Sequence, residues 1–444
     1  MMVAPKICLI GDVVIDITLK NSATETKMRL GGIVHAARAL WAMGIPYDIL
    51  YFAPSYLDEE INSYLVEHGC CAVLKAGNVT GAPYVFLIGE AKEIGDQGYE
   101  FILRERISVN YDKSVLDHFS GRAYENLLMI SGSYDPREIT AYLNGKVHID
   151  IANNVTDLSY LSSFKAKPET IFISTSSGLF KKEFKGDYRT FAELFRPYCE
   201  TLILKENRGG SRGIVFGNGH NFGAGAQAQP VLHSVGVGDV FDVAYINTLE
   251  GAIHHYALTF ASWVAAEYAQ TTFPDDFKVQ VGRLLKTEPK DMLSMGGIIV
   301  PWEIRSQINI YIAAPDFDYV DRRPIDQLES ALLYHNFAPR RPIKENGQME
   351  SNASKERRQE LFTCDMALLD DCRILIAVLL FNDPGTLIEI GLAAARGLPT
   401  LIYDPYKIAD NCMLTEIPIL LSDDLDSIIT EVFIQSNTRK NGAA

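Results

Sequence analysis

The apolar segment Ile374–Phe381 runs directly into Asn382-Asp383-Pro384-Gly385-Thr386, and Glu389 follows. A buried strand that ends in acidic and glycine residues and turns at once into a helix places carboxylates where α/β proteins bind ligands, outside the carboxyl ends of the strands. Two carboxylates there suit glycosidic chemistry, in which one attacks an anomeric carbon while another handles the leaving group's proton. The pattern puts Glu389 in the first turn of the helix, where the N-terminus would keep it ionised and nucleophilic. Asp383 sits on the preceding loop. A local alternative competes, because Thr386-x-x-Glu389 also reads as a capping box in which Glu389 only satisfies a backbone donor. That alternative leaves Asp365 and Asp383 unexplained.

A second constellation spans His233 to Asp242, HSVGVGDVFD. Gly236 and Gly238 let successive N–H groups turn toward one point just before an amphipathic helix. The result is an anion cradle suited to a transferring phosphoryl group, with Val237 between the glycines. Asp239 would then accept a proton from an attacking hydroxyl. Read locally, Asp239 is an N-cap and the glycines make a tight turn.

The surrounding chain limits the partners. Its 444 residues correspond to roughly two to three domains. With 41 basic against 56 acidic residues and a net charge of -15, duplex nucleic acid and anionic membranes are not expected partners. The longest apolar run, Ile374–Phe381, is far shorter than the ~20 residues of a membrane span. The opening MMVAPKICLIGDVVID has no small-residue cleavage site, so no signal peptide is expected. Seven scattered cysteines without CxxC spacing fit reduced thiols and a cytoplasmic location. The nine histidines lack ligand spacing, so no structural metal is expected.

Strand-like runs alternate with helices, which predicts an α/β fold on a mostly parallel sheet. Predicted strands include 7–10, 13–17, 49–52, 84–88, 127–130, 147–149, 170–173 and 202–204. Helices are predicted at 33–43, stopped by Gly44, and 58–68, stopped by Gly69. The stretch 240–285 reads as nearly all helical, with Trp263–Tyr268 in its core, and 290–305 as a boundary. A new α/β pattern follows, with strands at 310–313, 373–380 and 400–403. Its helices are predicted at 324–334, 361–371 and 386–396, and 335–359 as a polar loop, mobile at 346–358. Cys372 and Cys412 read as buried packing residues.

The later residues resemble the nucleoside 2-deoxyribosyltransferase family over about 307–435. The resemblance rests on Tyr311-Ile312-Ala313-Ala314-Pro315, Asp365 and the run D-x-G-T-x-x-E-x-G-x-A from Asp383 to Ala393. It implies that Glu389 forms a glycosyl-enzyme intermediate and that Tyr311 orients it. Asp383 would contact sugar hydroxyls with Gly385 beside it, and Asp365 would assist protonation of the base. Asn411-Cys412-Met413 resembles the segment this family lends to a neighbouring subunit, which implies at least a dimer. Related hydrolases cleave nucleoside 5′-monophosphates. For that substrate Arg322-Arg323 and Arg340-Arg341 would bind phosphate, unless they are solvated surface arginines.

The earlier residues resemble the ribokinase-like (PfkB-type) family of sugar and nucleoside kinases over about 4–290. The resemblance rests on Gly11-Asp12, Asp16, Gly31-Gly32 through Gly44, and the loop Gly236–Asp239. It implies Asp239 as catalytic base, Gly236 and Gly238 as anion hole, and Asp16, Gly31 and Gly32 as contacts to substrate hydroxyls. The 204–213 stretch, with Gly209, resembles the nucleotide-side turn. ATP and Mg²⁺ are the implied cofactors; the glycosyl domain needs none. His35 stands where the family usually has Asn, and 172–178 reads FISTSSG where an NxxE motif organises magnesium.

The expected architecture is a ribokinase-like three-layer α/β domain at 1–295, a linker at 296–306, and a smaller flavodoxin-like, doubly wound domain at 307–444. The expected function is N-glycosidic cleavage or transfer on nucleosides or nucleotides, coupled to a sugar or nucleoside kinase in salvage or degradation. The alternative is a catalytically silent N-terminal sensor regulating a nucleoside 5′-monophosphate N-glycosidase.

Overall fold

The computed structural model describes residues 5–19, 25–81, 84–98, 100–102, 106–152, 154–249, 253–350 and 352–437. Residues 1–4 of the opening stretch and Ser351 of the expected polar loop lie outside the described residues. The chain forms two compact units, Met1–Glu93 with Gln97–Ile299, and Ile94–Asp96 with Val300–Ala444.

The first unit is built on a sheet whose seven central strands are parallel. In spatial order these are Thr201–Lys205, Thr170–Ser174, Lys146–Ile151, Asn126–Ile130, Ile7–Asp12, Tyr47–Ala53 and Cys70–Thr80. Antiparallel strands Ser211–Val215 and His220–Ala224 extend one edge, and Ser108–Tyr111 the other. Side chains alternate along a strand: Ile7 and Leu9 join one core, Cys8 and Ile10 another. Both faces are therefore covered, which makes three layers. A separate sheet pairs Lys27–Leu30, Ile15–Thr18, Val85–Ile88 and Glu100–Phe101. The helix Val34–Met43 ends where the sequence predicts, at Gly44 with φ 71°. The long strand Cys70–Thr80 escapes the sequence reading, because its exposure is irregular rather than alternating.

The second unit carries a five-stranded, all-parallel sheet. Its strands Ala338–Arg340, Asn309–Ala313, Ile374–Val378, Thr400–Tyr403 and Leu420–Ser422 stand in the spatial order second, first, third, fourth, fifth, the flavodoxin-like order. The expected polar loop at 335–359 instead contains that edge strand, a short helix Pro342–Asn346 and the start of the helix Lys355–Asp370. Arg340, Arg341, Lys344 and Arg357 within it pair with acids and so tolerate regular structure. The boundary expected at 290–305 is taken up by two short helices, Pro289–Ser294 and Trp302–Arg305, the second of them in the expected linker at 296–306. Within it, Ile298 bonds with Ala226 in both directions, and the buried Arg305 donates to the Val300 carbonyl at 2.9 Å. Among the described residues no helix is long and apolar enough to cross a membrane.

Candidate active sites

In the second unit the chain order of the sheet reverses between Asn309–Ala313 and Ile374–Val378, and a crevice opens at such a switch point. Tyr311 and Ala313 share a sheet face with Leu375 and Ala377. That face packs on the helix Pro384–Ala395 through Ile390 and Ala393. The pleat thereby aims Tyr311 at this helix, and its hydroxyl donates to Glu389 Oε1 at 2.7 Å.

Two sequence expectations are corrected here. The helix begins at Pro384, with Asp383 rather than Thr386 as its N-cap, so Glu389 falls in the second turn. Asp383 accepts from the Thr386 amide at 2.8 Å and from its hydroxyl at 2.9 Å. The capping box does not form, which leaves the Glu389 carboxylate to face Tyr311. Nor does the helix terminus hold Glu389 ionised. Burial pushes its carboxyl up to about 7, and Asp365 and Asp383 add to the rise while the Tyr311 hydrogen bond opposes it.

Asp365 projects from Lys355–Asp370 and accepts from Asn346 at 2.8 Å, and burial raises its carboxyl. Asn346 escaped the sequence reading because nothing local marks it. Gly385 gives Asp383 room, since a Cβ there would lie 3.1 Å from Asp383 Oδ2. Asn411 caps the exposed helix Cys412–Glu416 by accepting from the Met413 amide at 2.9 Å, and Met413 is 61% exposed. Cys372 is buried, but Cys412 is exposed at the start of that helix, contrary to expectation. The Asp383 cap implies that Asp383→Ala lowers stability by about 1 kcal/mol in thermal melts.

The four arginines expected to bind phosphate are engaged within the unit. Buried Arg341 reaches Asp316 with two bonds (2.8 and 2.6 Å), and Asp326 and Glu329 at 2.6 Å each. Arg340 pairs with Glu345 and Asp371, Arg323 with Asp321, and Arg322 with Asp318. Sequence spacing shows the arginines but not the distant acids that occupy them.

In the first unit, Asp239 lies in the first turn of the helix Val237–Leu249, after Gly236 at φ 78°. Burial pushes its carboxyl up to about 8, with Asp150 adding to the rise and Lys205 opposing it. Lys205 ends the Thr201–Lys205 strand and donates to Asp242 at 2.8 and 2.9 Å and to Asp150 at 3.3 Å. Its Nζ is 3.2 Å from where a Cβ on Gly238 would stand, so an ammonium lies against the expected anion cradle. Lys205, Asp150 and Asp242 were missed because they come from three separate elements.

Asp16 does not stand alone as a substrate contact. His35 Nε2 bonds Asp16 Oδ2 at 2.9 Å, and its Nδ1 meets the Tyr268 hydroxyl at 2.7 Å. Tyr268, expected only as helix core, is thus part of a polar network. Burial drives His35 down to about 4, so the ring is neutral. Gly31 gives space to Asp16, whose Oδ2 would be 2.0 Å from a Cβ there, and Gly32 has φ 61°. A Cβ on Gly236 would lie 2.1 Å from the His35 ring. Gly236→Ala should therefore cost about 1–3 kcal/mol, seen by urea denaturation, from the clash and the strained φ together. Val237 opens the Val237–Leu249 helix, and buried Gly209 closes the turn Asn207–Gly209.

The residues do not fit a magnesium ion organised by an NxxE motif. Residues 172–178 offer hydroxyls, and Lys205 occupies the nearby carboxylates Asp150 and Asp242. Among the described residues, no group of three or more His, Cys, Asp or Glu is arranged to hold a metal.

Residues 310–415 match the nucleoside 2-deoxyribosyltransferase family model. No curated protein matches the chain. Solved structures similar to the chain include phosphofructokinase-2 from Escherichia coli in complex with potassium, at 14% identity and TM-score 0.49 over 64% of this chain and 99% of that one. Ribokinase from Arabidopsis thaliana complexed with ribose and ATP is similar at 14% identity and TM-score 0.47, over 64% and 100%. A pyrophosphate-dependent kinase in the ribokinase family, complexed with a pyrophosphate analogue and myo-inositol, is similar at 14% and 0.46, over 62% and 99%.

Proposed function

We propose that the second unit breaks the N-glycosidic bond of nucleosides, with Glu389 as nucleophile. The observation that carries this reading is the Tyr311 hydroxyl donating to Glu389 Oε1 at the switch point of the sheet, inside the segment that matches the family model. Glu389 attacks C1′, and the bond to the base breaks. Asp365, whose carboxyl burial raises, delivers a proton to the leaving base. An acceptor base or water then releases the sugar from Glu389. Nucleosides are favoured over 5′-monophosphates because the candidate phosphate arginines already hold carboxylates. A second copy of the chain completes the site. The exposed Met413, Phe381 just before the Glu389 helix and Ile388 on it, the last two at 41% and 61% exposure, support such an interface. The test is a panel of ribo- and 2-deoxynucleosides, with and without an acceptor base, followed by chromatography. Release or exchange of base is expected, and none from any nucleoside would overturn the reading.

For the first unit, Lys205 holds Asp150 and Asp242, the carboxylates a magnesium ion would use, and this favours ligand binding without phosphoryl transfer. The unit would act as a sugar or nucleotide sensor for the second. Purified protein with ATP, magnesium and a pentose or nucleoside is expected to leave the ATP intact. Acceptor-dependent ATP consumption that disappears in Asp239→Asn would refute the sensor and restore the kinase.

A further inference from the structure

We propose that a cavity in the N-terminal unit, between the Lys27–Leu30 strand and the Val34–Met43 helix, binds a small organic oxyanion with an apolar ring. Arg29, Arg38, Tyr64 and Tyr268 all line it. Arg38 is 5% exposed, yet all its partners are neutral: Tyr64 Oη at 2.7 Å, the Leu30 carbonyl at 2.8 Å, His35 Nδ1 at 3.1 Å and Tyr268 Oη at 3.4 Å. Arg29 makes only long contacts, 3.3 Å to His233 Nδ1 and 3.5 Å to the Val235 carbonyl. Among the described residues no carboxylate lies within ion-pairing distance of either guanidinium.

The nearest acid is already engaged: Asp16, the cross-strand partner of Arg29, bonds His35 rather than either guanidinium. Asp16 approaches His35 at Nε2, on the side of the ring away from Arg38. His35 and His233 are both neutral, and neither opposes an arriving anion. A buried guanidinium such as that of Arg38, without a counter-charge, is costly unless something supplies one, and the half-buried Arg29 adds a second positive charge at the same cavity. Arginine forks fit carboxylate and phosphate oxygens in pairs. Because Tyr64 accepts from Arg38 Nε, its own proton is available to a ligand. The remaining wall, Phe273, Pro274 and Phe277, is apolar. Converging polar groups at one end and apolar walls at the other are the usual make-up of a small-molecule pocket. Lys27 closes the rim through Thr272 and lies 5.4 Å from the Phe273 ring centre.

Isothermal titration calorimetry of the full chain with benzoate, phenyl phosphate and inorganic phosphate tests this, whatever the fate of Glu389 chemistry. One-to-one binding of benzoate or phenyl phosphate is expected, tighter than inorganic phosphate, with the preferred probe telling a carboxylate from a phosphate ligand. Arg29→Gln and Arg38→Gln should each weaken it at least tenfold. If Arg38→Gln does not fold, the half-buried Arg29→Gln decides alone. No binding of any probe, or unchanged affinity in Arg29→Gln, would overturn the proposal.

Discussion

Glu389→Ala is expected to abolish release of base from nucleosides, with kcat falling roughly 10⁴-fold or more, the usual scale for removing a nucleophile. The loss follows from the reaction having no other group to form the bond to C1′. The same carboxyl sets the pH dependence. Glu389 must be ionised to attack, and burial holds it near about 7. In wild type, kcat/KM should therefore rise about tenfold per pH unit below that value, and fall again at higher pH as Asp365, which must carry the proton for the leaving base, ionises. The linkage to stability has the opposite sense. The folded carboxyl binds its proton more tightly than the unfolded one, so its contribution is fully present below the ordinary glutamate range. It is lost as pH rises through about 7. Glu389→Gln, which still accepts from Tyr311, should raise the thermal midpoint at pH 8 and not at pH 4. A mutant at position 389 with wild-type turnover, or a flat pH profile, would remove the nucleophile from the mechanism.

Tyr311→Phe should lower kcat/KM by about 10- to 100-fold, matching the roughly 1.5–3 kcal/mol of a hydrogen bond to a charged group. It should also leave a signature that loss of packing would not. The hydroxyl stabilises the ionised glutamate, so removing it raises the Glu389 carboxyl further. The acid limb of the pH profile then moves to higher pH. The phenol can play this part throughout the working range, because burial and then the charge of Glu389 hold it protonated. A variant with reduced rate but an unmoved limb would reduce Tyr311 to a packing residue.

Alternating apolar runs, Gly44 and Gly69 as helix stops, and the uniformly buried run at 374–378 determine the α/β class and most element positions, because period and turn chemistry are local properties. The types and spacing of Asp365, Asp383 and Glu389 likewise point to glycosidic chemistry before any fold is known. Only the tertiary structure decides which group each side chain meets. It frees Glu389 from a capping role, because the helix begins two residues earlier at Pro384. It turns four candidate phosphate arginines into ion pairs with acids up to 31 positions away, as for Arg340 and Asp371. It sets Lys205 against Gly238 and leaves Arg29 and Arg38 facing a cavity without an acid. Charge states and partners depend on burial and on residues far apart in the chain, and no local pattern carries that information.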